Sequence, residues 1–114
     1  MIENVSAVIS SLGTSRRKRL LLLLRHGTFR PIQLAHVLNV PTSSVALHLK
    51  ALVRAGLARR MGHGHYTYFY LAPATPNGEL IMNWVLDATR NDPTIDEDLL
   101  RLESVLQPAM KSVG

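Results

Sequence analysis

Residues 31–71 read PIQLAHVLNVPTSSVALHLKALVRAGLARRMGHGHYTYFYL, and this stretch decides the fold. Its first part, 31–56, holds two helical patterns separated by a break at 39–41. Pro31 suits the first turn of a helix, where no amide hydrogen bond is lost, and Gly56 suits the position just after a helix end. Two short helices joined by a tight break predict a helix-turn-helix over 31–56.

The second part, 57–71, has the pattern of a β-hairpin. Two strand-like runs, 57–61 and 66–71, flank the tip Gly62-His63-Gly64-His65. Glycines around a short polar tip between two such runs are typical of a tight hairpin. We therefore predict a hairpin directly after the helix-turn-helix.

Helical patterns also precede this central stretch. Residues 2–12 place their apolar side chains on one face. A second helix is capped by Thr14 or Ser15 and ends at Gly27. Its leucine run, 20–24, is apolar on all sides, which predicts the central buried helix of the domain.

Two further helices are predicted after the hairpin, within residues 79–107. Asn77 or Gly78 caps the first of them and Thr94 caps the second. The predicted order is four helices, two strands and two helices, in a single domain of residues 1–114. This fold class is mainly α with a β-hairpin wing, the order of a winged helix-turn-helix.

Acidic and basic residues are segregated along the chain. Between Glu3 and Glu79 there is no acidic residue, yet this stretch carries ten of the thirteen Lys and Arg residues and all five histidines. The segment from Glu79 onward carries seven of the eight carboxylates and only three cations. A long field of one sign favours a polyanionic partner, and a net charge of +5 with a pI near 10.2 indicates nucleic acid.

The second helix of the predicted helix-turn-helix is the candidate recognition helix for the major groove. Its apolar stripe leaves hydroxyl and small apolar groups on the opposite side, where they suit base edges and thymine methyl groups. Basic residues at its end, at the start of the leucine-rich helix and on the hairpin suit phosphates. The predicted DNA-binding residues are Arg16, Arg17, Thr42, Ser43, Ser44, Ala46, Leu47, His48, Lys50, Arg54, Arg59, Arg60, His63 and His65, with additional hydroxyl contacts from Tyr66 and Tyr68.

The helices outside the helix-turn-helix carry more apolar faces than one small core needs. This excess predicts a homodimer, in which Trp84 is the natural anchor. The predicted interface residues are Val5, Ile9, Leu80, Ile81, Trp84, Val85 and Ala88, and the last helix carries a similar stripe of Leu99, Leu102, Val105 and Leu106.

Four segments together resemble the ArsR/SmtB-type winged-helix repressors. They are 27–35, 45–52, 55–57 and 64–71, which read GTFRPIQLA, VALHLKAL, AGL and GHYTYFYL. The resemblance covers about residues 5–90. It implies a homodimeric, mainly repressive regulator whose first and fifth predicted helices form the dimer interface and whose two recognition helices bind a palindromic operator on double-stranded DNA.

The chain departs from this family at its metal sites. Arg30 and Ile32 stand where one kind of family sensor places a Cys-x-Cys pair, and the fifth predicted helix lacks the histidines of another kind. We therefore predict no metal and no cofactor, and three sources of derepression stay open: a small molecule, a protein partner, or the concentration of the protein itself. Ala46 and Leu47 replace residues that are often polar in the family, so a different base preference is expected.

Simpler interpretations remain open for several of these residues. The RRKR stretch at 16–19 is also compatible with a solvated helix start, and His48 with packing beside the apolar stripe. His63 and His65 suit a metal as a ligand pair, although no carboxylate lies near them in sequence. If they instead contact phosphate, DNA binding weakens at higher pH, because neutral imidazole has lost its charge.

Composition excludes several other classes of protein. The chain has no cysteine, which excludes disulfides and thiolate metal sites and fits a cytoplasmic protein. The leucine run is far shorter than the roughly 20 apolar residues of a membrane span. No carboxylate accompanies the histidines of the central body and no phosphate-binding glycine loop is present, so an enzyme is not predicted. The alternatives are a protein-interaction module with the acidic tail helix as its docking surface, and a non-specific architectural DNA binder.

Overall fold

The computed structural model describes residues 15–113, with side chains for residues 15–106. Within this range the chain forms five helices and one two-stranded antiparallel sheet, and the predicted winged-helix fold class is confirmed. The elements are α1 (Ser15–Leu24), α2 (Pro31–Leu38), α3 (Thr42–Arg54), β1 (Ala58–His63), β2 (Tyr66–Leu71), α4 (Pro76–Ala88) and α5 (Pro93–Val113). The predicted helix over 2–12, with Val5 and Ile9, lies outside the described residues.

Helix α1 is the centre of the core. All five leucines of 20–24 are at most 5% exposed, whereas the basic first turn of the helix faces outward. A helix that is apolar on every side is stable only when other elements cover it from every side. Helices α2, α3 and α5 and strand β2 all pack against it, which confirms the predicted central position of this helix.

The turn of the helix-turn-helix is built by Asn39 and Pro41. Asn39 adopts the left-handed conformation (φ 57°), as a residue that ends a helix often does. Pro41, in extended conformation, is the N-cap of α3, and its carbonyl accepts the amide of Val45 at 3.2 Å. Thr42 and Ser43 both lie within the first turn of this helix, so neither of them caps it.

The wing is a tight hairpin tied to the segment before α2. Strands β1 and β2 pair from Ala58 opposite Leu71 to His63 opposite Tyr66, so the first strand extends two residues further than predicted. Gly64 in the two-residue loop has φ +64°, which suits a hairpin turn of this length. Phe29 extends the sheet by a backbone bridge to Phe69, with N–H···O distances of 2.9 and 2.8 Å.

Helices α4 and α5 begin earlier than predicted. Thr75 caps α4, since its hydroxyl oxygen accepts the amide of Gly78 at 3.0 Å. Asp92 plays the same part for α5, since its carboxylate accepts the amide of Thr94 at 2.9 Å. The caps predicted at Asn77, Gly78 and Thr94 were therefore wrong, because in each case an acceptor side chain precedes a proline that begins the helix.

A buried carboxylate fixes α5 against α1 and α2. Asp98 is 2% exposed and accepts two hydrogen bonds from the guanidinium of Arg19, at 2.8 and 2.7 Å. Arg101 donates to the same carboxylate at 3.1 Å and to the backbone carbonyl of Val37. The hydrogen bonds to Asp98 raise the pKa of Arg19 above its usual value, so the guanidinium stays charged.

We expect Asp98→Asn to destabilise the fold strongly. The amide keeps the shape of the side chain but leaves Arg19 buried without a counter-charge, which typically costs about 3–5 kcal/mol. Urea unfolding followed by circular dichroism measures the loss. Glu103→Gln, a change of equal charge at an exposed position of the same helix, is the matched control. Equal unfolding midpoints for the two variants would contradict the role of Asp98.

Candidate nucleic-acid interface

Helix α3 presents the groups that the sequence assigned to base recognition. Val45, Leu49 and Leu52 are buried in the core. On the other side Thr42 and Ser43 are exposed, Leu47 is 68% exposed, and Lys50 and Arg54 extend the exposed face toward the end of the helix. Ala46, Ser44 and His48 are half-buried at the edge of this face. The exposed hydroxyls of Thr42 and Ser43 lie in the first turn of α3 and can donate or accept hydrogen bonds.

The basic start of α1 lies against this helix. Arg16 donates to the hydroxyl of Ser44 at 3.2 Å, and Arg17 donates through Nε to Nδ1 of His48 at 3.1 Å. Ser44 and His48 are one helical turn apart, so the two arginines follow one edge of α3. The structure thus brings together two groups of residues that the sequence proposed separately for DNA contact.

The bond from Arg17 requires His48 to be neutral at Nδ1. Partial burial, followed by the charges of Arg17 and Arg16, lowers the pKa of His48 below its usual value. The neutral form is therefore favoured in the folded state. The contribution of neutral His48 to the free energy of unfolding is fully present above the pKa of histidine in the unfolded chain, about 6.5. It is lost as the pH falls through the lower pKa of His48 in the folded state. One ring nitrogen of His48 is occupied by Arg17, which leaves Nε2 for any contact with DNA.

The base of the wing and the end of α3 form a basic depression. Lys50, Arg54 and Arg60 line it together with Val53 and Phe69, around a volume of about 290 Å³. Arg60 lies opposite Phe69 in the hairpin, which directs its side chain to the α3 side of the sheet. The other predicted wing residues, Arg59, His63 and His65, are exposed along β1 and the hairpin loop.

Arg30 belongs to the same surface, although the sequence did not assign it a DNA contact. Its guanidinium lies 3.9 Å from the ring centre of Tyr66, which is 49% exposed at the start of β2. The Phe29–Phe69 bridge creates this contact by holding the segment before α2 beside the wing. Local sequence gives no signal for a bridge between positions 29 and 69. The contact between Arg30 and the wing was therefore not predictable from the sequence.

The cations of α3 and the wing take part in none of the salt bridges found among the described residues. Those salt bridges involve Arg19, Arg90 and Arg101. Lys50, Arg54, Arg59 and Arg60 therefore form a group of one sign, of the kind that attracts a polyanion.

The predicted dimer residues divide into two sets. Ile81 and Val85 are fully buried in the core of the single chain. Leu80, Trp84 and Ala88 lie one turn apart along α4 and are exposed, Leu80 by 62% and Trp84 by 36%. The ammonium of Lys18 lies 5.3 Å from the centre of the Trp84 ring. Leu99 and Leu106 are exposed on α5 by 37% and 38%.

Two further observations apply to residues 15–113. No three His, Asp or Glu side chains come together there as possible metal ligands, so His63 and His65 gain no third ligand from the described residues. None of the helices in this range is both long and apolar enough to span a bilayer.

No protein-family model and no curated protein matches this chain, whereas several solved structures are similar in fold. Reduced HlyU from Vibrio cholerae N16961 superposes with a TM-score of 0.61 at 18% identity, over 75% of this chain and 86% of HlyU. The adhesin competence repressor AdcR from Streptococcus pyogenes gives 0.58 at 22% identity, over 88% and 76% of the two chains. A mutant of MarR from E. coli complexed with operator DNA gives 0.56 at 19% identity, over 96% and 81%. These similarities show that the chain has the winged-helix fold.

Proposed function

We propose that this protein is a sequence-specific, double-stranded DNA-binding transcription regulator that acts as a homodimeric repressor. The observation that carries the proposal is the exposed face of α3, bordered by cations from α1, the segment before α2, and the wing. An α-helix with such a face fits the major groove, where phosphates lie on both sides of the bases.

Each part of the surface has its own role in this proposal. Thr42, Ser43, Ala46 and Leu47 meet base edges, the last two through thymine methyl groups. The cations bind phosphate and fix the register of the helix in the groove. They are Arg16, Arg17, Arg30, Lys50, Arg54, Arg59 and Arg60, with His63 and His65 contributing when protonated. The similarity to MarR in a complex with operator DNA supports this arrangement.

The dimer in this proposal forms through the exposed apolar row of α4 and the apolar residues of α5. Leu80 and Trp84 are too exposed to serve the core of the single chain, and Leu99 and Leu106 continue the apolar surface on α5. Two copies related by a two-fold axis bind a palindromic operator with half-sites about one helical turn apart. Repression follows when this dimer covers a promoter.

We expect tight binding to a fragment of the gene's own upstream region that resists unrelated competitor DNA. Lys50→Gln removes one phosphate contact from each of the two subunits, so the slope of log K against log salt falls by about 1.8 for the dimer and the affinity drops for every sequence alike. Arg90→Gln removes an equal charge outside the proposed interface and serves as the control. Fluorescence anisotropy over a salt series measures both. Equal displacement by competitor would contradict sequence-specific binding.

We expect Arg30→Gln to weaken DNA binding as Lys50→Gln does, because the guanidinium stacked on Tyr66 is held ready for a phosphate. Tyr66→Leu keeps the charge of Arg30 but removes the ring under it. This variant retains the salt slope and loses affinity by a few fold. The same anisotropy titrations separate the two effects. Wild-type affinity in Arg30→Gln would remove this residue from the interface.

We expect Trp84→Ala combined with Leu80→Ala to give folded monomers at micromolar concentration. Both side chains are exposed in the single chain, so truncating them leaves its core intact, whereas truncation of an aromatic anchor commonly costs about 2 kcal/mol or more of binding, roughly thirtyfold in affinity. Sedimentation velocity gives the oligomeric state and circular dichroism the fold. A double variant that remains dimeric would place the interface elsewhere.

A further inference from the structure

A cavity of about 200 Å³ lies at the joint between the wing and α4. Its walls come from α1, from the residues just after α3, from the linker 72–75, and from the first turns of α4. The lining is mainly apolar, through residues such as Leu21, Leu57, Leu71 and Met82. An engineered apolar cavity of about 150 Å³ in another protein accepts benzene, and pockets for drug-sized molecules begin near roughly 300 Å³. The cavity therefore suits a ligand of about ten non-hydrogen atoms.

Two exposed side chains of opposite charge complete the lining. Arg25 follows the end of α1, and Glu79 lies in the first turn of α4. Neither takes part in the three ion pairs of the described chain. The hydroxyl of Thr75, which also lines the cavity, is already engaged by the amide of Gly78. The charged groups at the cavity are therefore one guanidinium and one carboxylate.

This balance selects the chemistry of a ligand. A molecule with a single charge meets one group of opposite sign and one of like sign, so attraction and repulsion largely offset each other. A molecule with both charges satisfies both groups, while its apolar part displaces water from the leucine-lined wall.

We propose that this cavity binds a small zwitterion with an apolar side chain, the chemistry of a hydrophobic α-amino acid. The carboxylate of the ligand faces Arg25, its ammonium faces Glu79, and its side chain enters among Leu21, Leu57 and Met82.

The position of the cavity gives such a ligand a route to DNA binding. The amide of Ala72 donates to the carbonyl of Leu57 at 3.0 Å, so the linker before α4 is tied to the short segment that joins the recognition helix to β1. A ligand between this linker and α4 changes how α4 stands relative to the wing. This consequence rests on the proposed function: in a dimer formed through α4, it changes the separation of the two recognition helices and hence their fit to the operator.

Leucine and two analogues test the site on the protein alone, without DNA. 3-Methylbutylamine is leucine without its carboxylate, and 4-methylpentanoate is leucine without its ammonium group. We expect leucine to bind with a Kd between about 0.1 and 10 mM, and each analogue at least roughly tenfold more weakly. Amide chemical shifts in ¹⁵N–¹H spectra report the binding, with the largest changes at Ala72, Gly78 and Met82. Equal binding of leucine and either analogue, or no shift at about 50 mM leucine, overturns the proposal.

Charge-neutral variants assign the two ends of the ligand. Arg25→Gln removes the preference for leucine over 3-methylbutylamine, and Glu79→Gln removes the preference over 4-methylpentanoate. Arg90 lies outside the cavity lining. Arg90→Gln is therefore the control and leaves both preferences unchanged. Unchanged preferences in Arg25→Gln and Glu79→Gln overturn the assignment.

A separate titration of DNA with and without leucine tests the link to regulation. Because the site is tested without DNA, a failure of DNA binding contradicts the proposed function and leaves the ligand site standing. Leucine that binds at the cavity but leaves DNA affinity unchanged overturns the regulatory consequence.

Discussion

The buried carboxylate of Asp98 is the constraint on which the rest of the structure depends. It binds Arg19 through two hydrogen bonds and Arg101 through a third, and Arg101 in turn holds the end of α2 through the carbonyl of Val37. A buried charge is tolerated only when it is paired and fully hydrogen-bonded, so these partners are fixed in position. Helix α1 is thereby set at the angle from which Arg16 and Arg17 reach α3.

This network also explains why the acidic residues are concentrated after the wing. A carboxylate near Lys50 or Arg60 would pair with it and weaken its attraction for phosphate. The one acidic side chain buried in the described structure is Asp98, and it neutralises Arg19 and Arg101, cations that hold helices together. Charge segregation therefore separates cations that stabilise the fold from cations that remain available to a polyanion.

The sequence predicted the features that depend on neighbouring residues. The helix-turn-helix, the hairpin and the buried leucines of α1 follow from helical periodicity and turn chemistry, which act over a few residues. Contacts between distant residues were not predictable. The Arg19–Asp98 pair joins positions 79 residues apart, and Arg30 reaches Tyr66 only through a backbone bridge. For the same reason the α4 stripe was assigned wholly to an interface, although Ile81 and Val85 belong to the hydrophobic core of the single chain.

Helix α1 connects every surface to which a function is assigned. Its first turn contacts the recognition helix through Arg16 and Arg17, Lys18 covers Trp84 on the exposed row of α4, and Arg25 just beyond its end lines the cavity. Between these points its five leucines are closely packed in the core. A closely packed core deforms little, so the helix does not absorb a displacement locally. We therefore expect a displacement at the cavity or at the α4 row to reach the recognition helix through α1, whose first turn is hydrogen-bonded to it.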